Sequence, residues 1–190
     1  MPLTASVRIA CVAAAVMLAG GAPAAAQALT GTNRVVATYA DWRVVLAETN
    51  RGKVCYAAGS PRMRRPEGAV RGQAFIFVTT RPEDRVRDEI SIMFGFEVTR
   101  RSNLDVGGES FGLAGDSQGT WIADLAEEAR LVAAMRRQSQ MRVRSLSELG
   151  EDTVDTYSLK GFGDALDHAR RECSDPNSTS ALPGHGGKAA

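Results

Sequence analysis

The chain has 190 residues, 44% of them apolar, with 23 basic residues against 22 acidic and a formal net charge of +1 at pH 7. So even a balance lacks the positive excess that nucleic acid or an anionic lipid surface rewards, and neither is expected as the main partner. The length allows one domain with a real core and requires no second.

The amino terminus, MPLTASVRIACVAAAVMLAGGAPAAAQA, sets one cation, Arg8, before an apolar run from Ile9 to Ala19 and then small residues ending at Ala24, Ala25 and Ala26. That order predicts a secretory signal peptide over residues 1–26. A retained anchor is the alternative, but the run is short for a membrane span and no basic flank follows it. Removal of the signal takes Arg8 and no acid, so the exported chain is formally neutral, with no transmembrane span expected in it. Cys11 leaves with the signal, and Cys55 and Cys173 remain. In an exported protein an even pair reads first as a disulfide and second as two free thiols.

DWRVVLAE, from Asp41, alternates Trp42, Val44 and Leu46 on one side and predicts a strand; KVCYAAG follows a TNRGK turn and completes a hairpin. SPRMRRPEGAVRG, with two prolines, two glycines and Arg62, Arg64, Arg65 and Arg71, reads as an exposed loop. QAFIFVTTRP is apolar on both faces from Ala74 to Val78, as expected of a central strand covered on both sides. DEISIMFGFEV alternates, with Ile90, Ile92, Phe94 and Phe96 pointing one way. Shorter strands are expected at Ser102–Val106, Glu109–Leu113 and Gly119–Ile122.

Asp124 is placed as an N-cap, with Glu127 three residues on and Arg136 and Arg137 in the last turn, for a helix of about 12 residues that turns Leu125, Ala129, Val132 and Ala133 to one face. MRVRSLS and TVDTYSL are the last strands. In the closing helix Phe162, Leu166, Ala169 and Cys173 recur at helical spacing, which puts the cysteine on the buried face and ties the helix to an early strand if the disulfide forms. SDPNSTSALPGHGGKAA, residues 174–190, is poor in large apolar residues and is expected to be a disordered tail. About eight short strands with two non-alternating helices predict a mainly β fold, an antiparallel β-sandwich with two short helices.

The chemistry-bearing patterns are weak. Gly108-Glu109-Ser110-Phe111-Gly112 matches the nucleophile elbow, but that elbow needs a helix after the serine, and LAGDSQGTW is rich in turn residues. Only His168 and His185 are available as bases. His185 stands among glycines without a partner at ligand spacing and the cysteines are far apart, so no metal site is expected, and no cofactor motif occurs. No catalytic residues are assigned and the chain does not read as an enzyme. The arginines at 62, 64, 65 and 71 are the candidate partner-binding loop, suited to carboxylates or phosphates on a partner or envelope glycolipid, against the alternative of a soluble loop in an arginine-rich chain.

Taken together, YADWRV, GKVCYAAGSP, RGQAFIFVTTRP with DEISIMFGF, GTWIADLAEEARLVAAM, MRVRS and DTYSLKGFGDAL followed by Cys173 resemble the invasion-associated locus B family of bacterial exported proteins. The likeness runs over residues 39–173, read as a single domain. It departs from many relatives at Val45 and Leu46, where a cysteine is common, and at SELGEDT. The first leaves one disulfide, between Cys55 and Cys173. The resemblance implies an immunoglobulin-like sandwich, a periplasmic, outer-envelope or secreted location with peripheral outer-membrane association, and no established enzymatic activity. In pathogens such proteins are associated with host-cell entry. It also implies structural roles for Trp42 and Tyr157 as core aromatics, Gly161 at a turn and Phe162 as a helix anchor. Three functions follow as expectations: a non-catalytic envelope protein that binds a protein or surface component, an envelope-stress or assembly accessory factor, and a serine hydrolase using Ser110.

Overall fold

Two strands that sequence punctuation hides frame the structure, a computed structural model that describes residues 32–116 and 119–174. The expected signal peptide and the segment beyond Ser174 lie outside the described residues. Thr32–Tyr39 (β1), ahead of the expected start of the domain, pairs antiparallel with Trp42–Thr49 (β2). Met63–Arg65 (β4) lies within the stretch expected to be loop and pairs with Asp152–Ser158 (β11).

The other strands fall on or around the expected stretches: Gly52–Gly59 (β3), Phe75–Arg81 (β5), Val86–Met93 (β6), Val98–Val106 (β7, beginning ahead of Ser102), Glu109–Asp116 (β8, running past Leu113), Gly119–Ile122 (β9) and Gln140–Ser147 (β10). All pairings are antiparallel, in the order β1-β2-β3-β5-β6-β9-β8-β7-β10-β11-β4. The fold is mainly β and antiparallel with two helices, as expected, and its strands form one continuous ladder. It curls on itself: β4 closes the far end of the order yet follows β3 after three residues. Asp41 N donates to Lys160 O at 3.3 Å and Arg62 N to Thr156 O at 2.8 Å, binding the β1–β2 turn and the start of β4 to the β11 region.

Because strand side chains alternate, this curl gathers one set of residues inside. Val44, Ala57, Val78 and Ile90 stand side by side on β2, β3, β5 and β6, all fully buried. Phe111, Leu104 and Val143 continue the layer on β8, β7 and β10.

Two helices cover the inner side. Glu128–Arg137 (α1) packs on β6 and β7, and Phe162–Ser174 (α2) on β1, β2, β3 and β5. The disulfide is formed, with Cys55 and Cys173 Cα atoms 5.8 Å apart, fixing the end of α2 to β3.

The face of the first helix differs from expectation. Asp124 does cap, accepting from Ala126 N at 2.9 Å, but the turn it caps is a 3-10 turn, Leu125–Glu127. A 3-10 turn advances three residues per revolution and the α-helix 3.6, so the phase counted from Asp124 drifts before α1 begins. Leu131, Val132, Ala134 and Met135 are buried, whereas Leu125 and Ala129 are exposed.

Candidate functional site

The arginine-rich segment divides by burial. In β11, Thr153, Asp155 and Tyr157 occupy the inward register, which puts a carboxylate inside the fold. β4 pairs with that strand, Arg64 opposite Asp155, and the Arg64 Nε lies 3.1 Å from both carboxylate oxygens. Arg64 also donates through Nη1 to Gly72 O at 2.6 Å and through Nη2 to Phe94 O at 2.8 Å. Arg71 Nη1 stands 3.3 Å from Asp155 Oδ1, its Nη2 donates to Pro66 O at 3.0 Å, and its guanidinium lies over the Phe96 ring at 5.7 Å.

Arg62 and Arg65 remain outside. Arg62 pairs with Asp41, and Arg65 with Glu67 at 2.7 Å; both side chains are more than half exposed. Of the four expected partner-binding arginines, two therefore hold the loop to the sheet and two project from its rim. The signal for this was Asp155, an acid two residues before the core aromatic Tyr157 on the same strand face, which requires a cation inside.

On the opposite side of β1, β2, β3, β5 and β6, no helix among the described residues covers the sheet. Phe75 and Phe77, expected under cover on both faces of a central strand, are half-buried here, and their neighbours on this outer face are Val35, Val45, Tyr56, Ala58 and Met93. Those residues, with Asn33 and Arg43, line an apolar trough of about 240 Å³. Tyr56 meets Phe77 edge-on at 5.6 Å, and Trp121 stands opposite Ser91 in the next strand, 48% exposed. Burial pushes the Tyr56 phenol up in pKa while the Arg43 charge opposes it.

A second cavity of about 460 Å³ adjoins the trough, lined by Arg43, Ser60, Arg64, Arg71, Gln73 and Phe75 among others. Arg43 and Phe75 belong to both. The Arg43 side chain makes no hydrogen bond or ion pair with the described residues.

The motifs tested for catalysis lie apart from this face. Ser110 Oγ donates to Asp105 Oδ1 at 2.7 Å and accepts from Asn103 Nδ2 at 3.0 Å; its partners are a carboxylate and an amide, not an imidazole. Burial works against the Asp105 carboxylate, but hydrogen bonds from Ser110, Arg144 and Asn103 outweigh it and hold its pKa below the ordinary value. His168, on α2, bonds Tyr39 Oη through Nδ1 at 2.9 Å and lies 3.2 Å from Glu172 through Nε2, tying the helix to β1. His185 lies outside the described residues. No group of three or more metal-ligating side chains occurs among the described residues.

Trp42, Tyr157, Gly161 and Phe162 meet at the junction of β2, β11 and α2. Trp42 Nε1 donates to Ser158 O at 3.0 Å, and its ring lies 4.8 Å from that of Phe162. Gly161 has φ +86°, and a Cβ there would stand 2.0 Å from Tyr39 O. Tyr157 is 1% exposed; its hydroxyl has no hydrogen-bond partner among the described residues, and burial, with the nearby Asp155 charge, pushes its pKa up. No helix among the described residues is long and apolar enough to cross a membrane.

The sequence model of the family described as "Invasion associated locus B (IalB) protein" matches residues 42–170, from the core tryptophan to the last turns of α2. No curated protein and no solved structure matches the chain.

Proposed function

Because this chain belongs to the invasion-associated locus B family, a family of exported bacterial proteins, we propose that it is a non-catalytic binding protein of the cell envelope that engages a protein or surface component, with a role in contact with host cells where its bearer meets them. The observation that carries the reading is the outer face of β1, β2, β3, β5, β6 and β9, where Val35, Tyr56, Phe75, Phe77, Met93 and Trp121 form an apolar surface with no helix upon it among the described residues. Contiguous exposed apolar surface on a folded domain marks an interaction site more often than chance. The loop from Ser60 to Gln73 borders this face and presents Arg62 and Arg65 at its rim, where charge steers a partner without carrying most of the affinity.

Export fits the disulfide, which persists in an oxidising compartment such as the periplasm, and peripheral association with the outer membrane fits a chain whose described helices do not span a bilayer. Cross-linking in intact cells, with a tag placed after the domain and capture read by mass spectrometry, tests the reading. A reproducible partner, reduced by Arg62→Ala with Arg65→Ala and by Phe77→Ser, is the expected result. Capture that is indifferent to both changes would remove this face from the account.

A further inference from the structure

Arg43 stands where two dissimilar cavities meet. On one side is the apolar trough with Val45, Tyr56, Phe77 and Met93 in its lining; on the other is the cavity lined by Arg64 and Arg71. That second cavity has three guanidiniums and no carboxylate in its lining, and the one carboxylate beside it, Asp155, is already shared by Arg64 and Arg71. The junction therefore carries an excess of positive charge, concentrated on the one arginine whose donors are uncommitted.

We propose that this junction binds an anionic single-chain amphiphile, a long-chain carboxylate whose head is held by Arg43 and whose tail lies in the trough over Tyr56 and Phe77. The linings favour that chemistry. A small hydrophilic anion would use the arginine-lined cavity and leave the trough wet. A neutral hydrocarbon would use the trough and leave Arg43 without a counter-charge. Arg43 and Phe75 line both spaces, so the two adjoin there, and each is of the order at which clefts take small molecules or their parts, with apolar walls and a few polar groups that fix orientation.

The near-even charge balance of the chain does not oppose this. Net charge governs attraction to an extended anionic surface, whereas one guanidinium in a half-enclosed cleft acts on one molecule at contact. The inference rests on the envelope-binding reading above and gives it a ligand class.

The test is calorimetric titration of the purified exported protein with dodecanoate below its aggregation concentration, beside methyl dodecanoate (the same tail without charge) and acetate (the same head without tail). One dodecanoate should bind per chain, with the ester at least about tenfold weaker and acetate showing no heat. Arg43→Ala should weaken dodecanoate about tenfold or more, Phe77→Ser should weaken dodecanoate and ester alike, and Arg136→Ala, whose side chain pairs with Asp167 between the two helices, should change neither. Arg43→Glu should invert the preference, losing dodecanoate and gaining dodecylammonium, a result that a merely unstable variant cannot give.

Equal binding of ester and carboxylate, or dodecanoate binding unaffected at position 43, overturns the proposal. So does a dimer in sedimentation that Phe77→Arg disperses, since a second copy then covers the trough, or binding that appears only when residues 27–31 are removed. If dodecanoate fails while cross-linking still captures a partner dependent on Phe77, the ligand class falls and the envelope-binding reading stands; if both fail, so does that reading.

Discussion

The Arg64 Nε lies 3.1 Å from each oxygen of Asp155, a carboxylate that is 2% exposed. Removing the carboxylate leaves Arg64 and the buried Arg71 facing each other without a counter-ion, so Asp155→Asn is expected to lose about 3–5 kcal/mol of stability. Arg62→Ala, at an exposed pair, should stay within about 0.5 kcal/mol of the parent. Urea unfolding of the two variants decides this, and equal midpoints would contradict the division of the arginine segment.

Gly161→Ala should destabilise by at least about 2 kcal/mol, because φ +86° strains an alanine and its Cβ would fall 2.0 Å from the Tyr39 carbonyl oxygen. The obstacle is backbone, so it cannot rotate away. Thermal melts measure the effect, and an unchanged melting temperature would mean that the β1–β2 turn does not sit against α2 as described.

The bond between Cys55 and Cys173 spans 118 residues. Cys173→Ser is expected to cost about 2–5 kcal/mol, in line with native disulfides closing long loops. Because α2 also packs through Phe162, Ala165, Leu166 and Ala169, the variant should keep its helix signal in circular dichroism near neutral pH. A variant as stable as the parent would show that packing alone holds α2.

Tyr157→Phe is expected to be neutral or to stabilise by up to about 1 kcal/mol, since it deletes a buried hydroxyl that has no hydrogen-bond partner among the described residues. A loss of more than about 1 kcal/mol on chemical denaturation would reveal a bond to that oxygen.

The hydrogen bonds from Ser110, Arg144 and Asn103 keep Asp105 below its ordinary pKa against the effect of burial. A depressed folded pKa contributes stability above the unfolded value, about 3.9, and that contribution fades as pH falls through the folded value. Ser110→Ala should therefore raise the Asp105 midpoint toward the ordinary value in a carboxyl NMR titration and move acid unfolding to higher pH. No movement of the midpoint would mean that the serine does not hold this carboxylate.

Much of the core was legible because alternation is a strong signal when one strand face is buried: Trp42, Val44 and Leu46, then Ile90 and Ile92, are inside as their spacing required. The α2 stripe and the cysteine pair were legible for the same reason, one period and one even count. β4 was not, since three residues, two of them arginines, carry no alternation, and only pairing with β11 makes them a strand. The roles of Arg64 and Arg71 were hidden because they depend on Asp155, 91 and 84 residues away in sequence. Apolar residues on both faces of β5 showed that Phe75 and Phe77 avoid water, but not that both helices pack on the other side of the sheet.

The covalent link between β3 and the end of α2 makes the chain from Cys55 to Cys173 a closed ring, with β1, β2 and the start of β3 attached as a tail outside it. A single cut anywhere in the ring would leave both pieces joined, so a nicked molecule would run as intact protein until reduced. Cys173 is also the last ring residue to leave the ribosome, so the ring can close only once nearly the whole fold has been made. Closure of this one bond therefore records a completed domain, molecule by molecule.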